Sequence, residues 1–132
     1  MLLRTVGRNI FARASSTAAM DCKALALSMP HPYVLHVEIN RPKKLNSMNA
    51  DFWLEWHDVF ESAATDEKVR AIVCSGSGEK MFSAGIDLAQ LAGELGNVMM
   101  IDDIGRKALL LKRMILRLQK PFNATAGTLL RT

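Results

Sequence analysis

Phe82-Ser83-Ala84-Gly85-Ile86-Asp87-Leu88 follows an apolar run, Ala71-Ile72-Val73-Cys74, and a turn-rich link, Ser75-Gly76-Ser77-Gly78-Glu79-Lys80. That order reads as a strand, a loop and a sharp turn into a helix. Gly85 lets the backbone turn where a Cβ would clash. Asp87 stands where the helix begins, placed to accept the free amides of its first turn. The amide at Ile86 then points outward and suits an oxygen that carries or develops negative charge. An ordinary capped strand-to-helix turn has the same local pattern, so this stretch alone does not decide between the two.

Upstream, Tyr33, Leu35, Val37 and Ile39 alternate with Val34, His36, Glu38 and Asn40. This is a strand with one buried face, His36 falling on the solvated side. Pro42 ends it by removing a ladder donor, and Lys43-Lys44 sit on the loop that follows. A helix is expected over 50–64. Phe52, Trp53, Trp56, Val59, Phe60 and Ala63 keep helical spacing there, with Glu55, Asp58 and Glu61 between them. Both tryptophans read as core. Thr65-Asp66-Glu67-Lys68 turns the chain into a strand over 69–74. A strand, helix, strand order makes a right-handed crossover, so the two strands should be parallel.

The stretch Asn40-Arg41-Pro42-Lys43-Lys44-Leu45-Asn46-Ser47-Met48-Asn49, the helix with Phe52-Trp53, and the Phe82–Leu88 turn come in that order. Together they resemble the enoyl-CoA hydratase/isomerase (crotonase) superfamily. The delta-3,5-delta-2,4-dienoyl-CoA isomerase branch is the most similar, on Ile86 within A-G-I-D-L and on Met48-Asn49 followed by Phe52-Trp53. The resemblance runs from about Tyr33 to Pro121. It implies an α/β, partial crotonase-like (ClpP/crotonase) fold of parallel strands with crossover helices. It also implies an acyl thioester of coenzyme A as substrate, with no metal or redox cofactor. The thioester oxygen would lie between two backbone amides, while carboxylates move a proton along the acyl chain and shift its double bonds. Carried onto this sequence, the catalytic amide is that of Ile86. The substrate-binding positions are Ala84, Gly85, Ile86, Asp87 and Leu88, with Lys43 or Lys44 meeting phosphates of the coenzyme A nucleotide. Family members continue after Lys-Pro into another strand and a Gly-rich turn, which supplies the second amide. The carboxylates come later still. No position here matches them, so the resemblance implies that this chain carries only the N-terminal half of the domain, with the C-terminal half expected to be missing.

Residues 1–20 hold Arg4, Arg8 and Arg13, several Ser/Thr and no acid. This is the composition of a mitochondrial presequence, with a processing region around Ala12-Arg13-Ala14-Ser15-Ser16. Its apolar content is too interrupted for a membrane span. Those three arginines supply most of the excess of 17 Lys+Arg over 13 Asp+Glu. The remainder is near neutral and offers no electrostatic case for nucleic acid. Cys22 and Cys74 lack metal or disulfide spacing, and Cys74 reads as a small core residue. His31 lies between Pro30 and Pro32 on an extended approach, and His57 reads as an exposed helical histidine. After Asp87, Leu88, Leu91 and Leu95 give a short helix face. A longer helix is expected from Asp102 to Gln119, with Lys112, Arg113, Arg117 and Lys120 crowding its C-terminal end.

The expected organisation is a presequence over 1–20, a linker over 21–32, the N-terminal half of a crotonase-like domain over 33–121 and a divergent tail over 122–132. The lineage implied is a matrix isomerase of fatty acid β-oxidation, homo-oligomeric when complete, with this chain inactive alone. Two alternatives stay open. One is enoyl-CoA hydratase, and the other is a non-enzymatic fragment that binds acyl-CoA or another subunit. The ending Leu130-Arg131-Thr132 is not a peroxisomal signal. Open sheet edges and uncovered helix faces are expected of such a half-domain.

Overall fold

The computed structural model describes residues 17–129. The presequence expectation for 1–16, the processing region included, and the last three residues lie outside the described residues. Three strands form one sheet in the order β1 (Leu25–His31), β2 (Val34–Ile39), β3 (Ala71–Gly76). β1 and β2 are an antiparallel hairpin, and β2 and β3 are parallel. Helix α1 (Ala50–Ala63) makes the crossover between β2 and β3, so the parallel crossover expected from the sequence is what forms.

The buried face of the sheet follows from period-two alternation in β2. Leu35, Val37 and Ile39 are fully buried and form one cluster with Phe52, Trp56, Val59, Phe60 and Ala63 of α1. Asn49 caps α1, its Oδ1 accepting the Phe52 amide at 3.0 Å. Tyr33 corrects the strand boundary. It is 49% exposed with φ +66 because it turns the hairpin rather than extending β2. Its carbonyl accepts the amides of Arg70 and Ala71 at 2.9 and 3.0 Å, and the Arg70 guanidinium lies 4.6 Å from its ring. His36 is not free in solvent either: its Nε2 lies 2.8 Å from Ser75 Oγ across the sheet.

β1 occupies the stretch expected to be a linker, and His31 is its last residue rather than part of an isolated extended approach. Leu25 and Ala24 enter the core, while Glu55 of α1 accepts the amides of Lys23, Ala24 and Leu25 at 2.7, 2.8 and 3.1 Å. β3 begins at Ala71, two residues later than expected. Cys74 is exposed, not a core residue, because β3 is an edge strand of the described sheet. Cys22 is half-buried, and burial, then the charges of Glu55, Asp21 and Asp58, push its thiol up to about 11. It stays protonated and unreactive at neutral pH.

Helix α2 spans Leu88–Met99 and α3 spans Ile104–Leu129. Asp103 starts α3, its Oδ1 accepting the Arg106 amide at 2.5 Å. The far end differs most from expectation. α3 runs ten residues past Gln119 and straight through Pro121, so its basic residues lie mid-helix and residues 122–129 are helix rather than tail. An interior proline removes one helical hydrogen bond and costs about 3 kcal/mol. Packing on α1 offsets it. Pro121 and Ala124 are buried, and the Phe122 ring stands edge-on to Trp53 at 5.7 Å. The Trp56 indole donates to Thr125 Oγ1 at 2.9 Å, and Thr128 Oγ1 donates to the Phe60 carbonyl at 3.1 Å. The outer face of α1 is therefore covered from within the chain. The face of α3 itself is not: Ile104, Leu109, Ile115 and Leu116 are exposed.

Thr125→Val keeps the side-chain shape and removes the acceptor of the Trp56 indole. The expected loss is about 1–2 kcal/mol, read as a fall in Tm of roughly 5–10 °C by calorimetry. An unchanged Tm would mean that α3 beyond Pro121 does not lie on α1.

Candidate thioester-binding site

Two loops, 40–49 and 77–87, are laced together below the start of α2. Leu45 and Asn46 both have positive φ, 52 and 55, which reverses the chain after the short turn Pro42–Lys44. The buried Asn46 amide then serves both loops. Its Oδ1 accepts the Arg41 amide at 3.0 Å, and its Nδ2 donates to the carbonyls of Ser77 and Met81 at 2.8 and 3.2 Å. Ser83 Oγ donates to the Asn46 carbonyl at 2.7 Å and accepts the Gly85 amide at 3.0 Å. The Ala84 amide donates to the Leu45 carbonyl at 2.9 Å. A Cβ on Gly76 would collide with the Phe82 backbone, so only glycine lets the second loop fold back over the end of β3.

Gly85 takes φ +87, the left-handed turn expected of it. Met48 and Ile86 then form a parallel bridge. The Met48 amide donates to the Gly85 carbonyl at 2.8 Å, and the Asp87 amide donates to the Met48 carbonyl at 3.0 Å. In a parallel bridge the peptide groups flanking Ile86 are consumed, while the N–H of Ile86 itself points to the other side. Among the described residues it has no hydrogen-bond partner.

Two hollows meet at Ile86. One is a cavity of about 310 Å³ between α1, α2 and α3, walled by Met48, Trp53, Leu54, Leu91, Leu118 and Pro121. The other is an open groove of about 570 Å³ lined by Lys44, Ser47, Ala84 and Leu88. Ile86, Asp87 and Leu91 line both. Of the expected binding positions, Ala84, Ile86, Asp87, Leu88 and Lys44 come together here. Gly85 supports them through its turn. Lys43 is exposed on the Pro42–Lys44 turn and does not line the groove.

Asp87 corrects one expectation. It is the N-cap residue of α2, but its side chain does not cap the helix. Its Oδ2 instead accepts from the Arg41 guanidinium at 3.3 Å and from Ser47 Oγ at 3.3 Å. Desolvation pushes its carboxyl up, but the Arg41 hydrogen bond, the nearby Gln90 amide, the Arg41 charge and the Ser47 hydroxyl together outweigh it. The group therefore titrates below its ordinary value. Glu94, the other carboxylate on the cavity wall, pairs with Arg117 across α2 and α3. His57, expected to be exposed, is half-buried on the same wall. Its Nδ1 is enclosed without a partner among the described residues. No sequence signal marks it, because its neighbours on the cavity come from α2 and α3. Among the described residues, no three His, Cys, Asp or Glu side chains gather as a metal site. No described helix is long and apolar enough to cross a membrane.

Residues 31–122 match the family model described as enoyl-CoA hydratase/isomerase. The chain belongs to that family. Mitochondrial delta(3,5)-delta(2,4)-dienoyl-CoA isomerase from Homo sapiens is 37% identical over 126 residues, covering 92% of this chain and 38% of the relative. Short-chain-enoyl-CoA hydratase from Clostridium acetobutylicum is 42% identical over 55 residues, covering 42% of this chain and 21% of that protein. The crystal structure of a probable enoyl-CoA hydratase/isomerase from Mycobacterium abscessus superposes with a TM-score of 0.52 at 34% identity, over 58% of this chain and 29% of the other. The described residues are thus a small α/β piece of the crotonase fold. This family member spans little more than a third of the human relative's length.

The Arg41–Asp87 pair gives the site an acid limit. A carboxyl whose folded pKa lies below its unfolded value near 3.9 stabilises the fold above that value. The contribution disappears as pH falls through the folded pKa. Thermal melts between pH 6 and 2 should therefore show Asp87→Asn losing less Tm on acidification than the parent chain. Parallel curves for the two proteins would mean that the pair contributes nothing.

Proposed function

We propose that this chain carries the coenzyme A thioester-binding part of a fatty acid β-oxidation isomerase, one that shifts double bonds in dienoyl-CoA. One observation carries the reading. Ile86, whose amide has no hydrogen-bond partner among the described residues, lines both an apolar cavity and an open groove that holds Lys44. An acyl thioester has the matching shape: an apolar chain, a carbonyl oxygen, then a long polar handle ending in phosphates. With the oxygen on Ile86 N–H, the acyl chain fills the cavity and the handle follows the groove toward Lys44. Negative charge collects on that oxygen as a proton leaves the acyl chain, so the amide binds the transition state more tightly than the substrate.

The isomerase reading is favoured over the hydratase because the isomerase relative aligns with 92% of the chain and the hydratase with 42%. Proton transfer is a separate matter. The two carboxylates on the cavity wall, Asp87 and Glu94, are each engaged by an arginine, and Asp87 titrates below its ordinary value. The described residues therefore bind and polarise the thioester, and the proton moves through carboxylates outside them. The arginine-bearing, acid-free first residues and the mitochondrial names of relatives support delivery to the mitochondrial matrix. Association with further copies, which the family resemblance implies, belongs to the same proposal.

A ligand that binds only the folded state must raise Tm. A medium-chain dienoyl-CoA should raise it, and the thioether analogue, which lacks the carbonyl oxygen, should bind roughly tenfold more weakly, the worth of one hydrogen bond. The purified 132-residue chain should show no conjugation of the diene by ultraviolet absorbance. Equal binding of thioester and thioether would remove the role of Ile86. Measurable turnover would show that the described carboxylates suffice.

A further inference from the structure

Helix α3 concentrates positive charge. It carries Arg106, Lys107, Lys112, Arg113, Arg117 and Lys120, and none of the chain's 13 Asp and Glu lies within Ile104–Leu129. Arg117 pairs with Glu94 of α2, and among the described residues the other cations of α3 have no ion pair. The nearest acids in sequence, Asp102 and Asp103, stand just before the helix. Arg106, Arg113, Arg117 and Lys120 follow one another at steps that bring them onto one line along the helix. All four are exposed. Leu109 lies beside that line between Arg106 and Arg113, and Leu116 beside it between Arg113 and Lys120. The two leucines are 48% and 53% exposed, and exposed Lys112 flanks them on their other side. Leu110, Leu111, Met114 and Leu118 are half-buried and belong to the opposite side of the helix.

The line of cations is about 20 Å long by the rise of a helix. Cations alone would suit any polyanion, but leucines set among them would not. A nucleic acid backbone offers phosphates and nothing for Leu109 and Leu116 to enter. An anionic lipid surface offers phosphates and, a few ångströms deeper, acyl chains. Arginine and lysine fit that boundary, because their stems lie along apolar matter while their charged heads reach the phosphates. The apolar side chains continue past the start of the helix, since Met99, Met100 and Ile104 are exposed where α2 gives way to α3. No described helix is long and apolar enough to cross a membrane, so α3 can lie on a bilayer but not span it. We propose that residues 104–120 of α3 dock in the plane of an anionic phospholipid surface. Arg106, Arg113, Arg117 and Lys120 then meet lipid phosphates, and Leu109 and Leu116 enter the acyl boundary. The charge separation within the chain sets the orientation: α3 faces the lipid, and the acids, all on other segments, are repelled by it. The docking does not depend on what the cavity binds.

The test is flotation of the full chain with vesicles of phosphatidylcholine, alone or mixed with phosphatidylglycerol. Arg4→Gln, Arg8→Gln and Arg13→Gln are made together in this background, so that the first residues add no cation of their own. Binding is expected to the mixed vesicles only, and to be released by high salt, which screens exposed charges. Equal binding to both vesicle types would overturn the proposal. So would loss of all binding in this background when the unaltered chain floats, because the first residues would then hold the surface.

Single substitutions on exposed positions then assign the face without disturbing the core. Arg106→Gln and Arg113→Gln should each weaken binding about fivefold, the worth of one cation at an anionic surface. Lys68→Gln, which removes the same charge from an exposed position outside α3, should leave it unchanged. Equal losses from all three would mean that only net charge matters, and the docking face would be lost. Leu109→Gln and Leu116→Gln should weaken vesicle binding at unchanged Tm. Leucine variants that bind as tightly as the parent would make α3 a general polyanion surface and remove the lipid assignment. A chain that ignores vesicles, and whose self-association falls with Arg113→Gln, would give this face to a second copy instead.

Discussion

The site depends on one buried side-chain amide. Asn46 links two loops that are far apart in sequence, its own and the one that begins 31 residues later. It holds Arg41 before the turn, Ser77 and Met81 in the second loop, and, through its own carbonyl, Ser83. A buried amide with all its groups satisfied is specific, because each lost bond leaves a backbone partner stranded at about 1–3 kcal/mol. The left-handed conformations of Leu45 and Asn46 bring that amide inward, and asparagine tolerates such a conformation better than most residues. Once the loops are joined, the Met48–Ile86 bridge has only one register, and the direction of the Ile86 amide follows from it.

Much of this was legible in the residues. The alternation over β2, the amphipathic spacing of α1 and the glycine-marked turn into α2 are local signals, and each appears where expected. β1 was missed because its burial does not alternate cleanly and Pro30 and Pro32 bracket its end, which reads as a linker. At the site, Gly85 announced the turn, and with it the exposed amide. The role of Asp87 could not be read locally. A carboxylate at a helix start suggests capping, but its partner Arg41 lies 46 positions away. The same limit hid His57, whose surroundings are made by helices that come later in the chain.

The proline in α3 is the clearest case of packing overriding a local rule. Lys120-Pro121 reads as a helix stop, and the residues after it as an unrelated tail. The helix continues because Ala124, Thr125 and Thr128 are small enough to lie close against α1, and both hydroxyls find partners there. Those threonines also bond back to the carbonyls of Pro121 and Ala124, as threonine in a helix commonly does. The central helix α1 is therefore not left bare, although α3 still shows apolar side chains to solvent.

The two tryptophans sit one turn apart on α1 and see different surroundings. Trp56 is buried, with its indole N–H bound to Thr125. Trp53 stands on the cavity wall with its ring edge against Phe122. The chain thus carries two intrinsic optical reporters for separate events. Emission from Trp56 senses the seating of α3 on α1, and emission from Trp53 senses what occupies the space between α1, α2 and α3. With each tryptophan replaced in turn by phenylalanine, folding and occupancy become separable signals in a single cuvette.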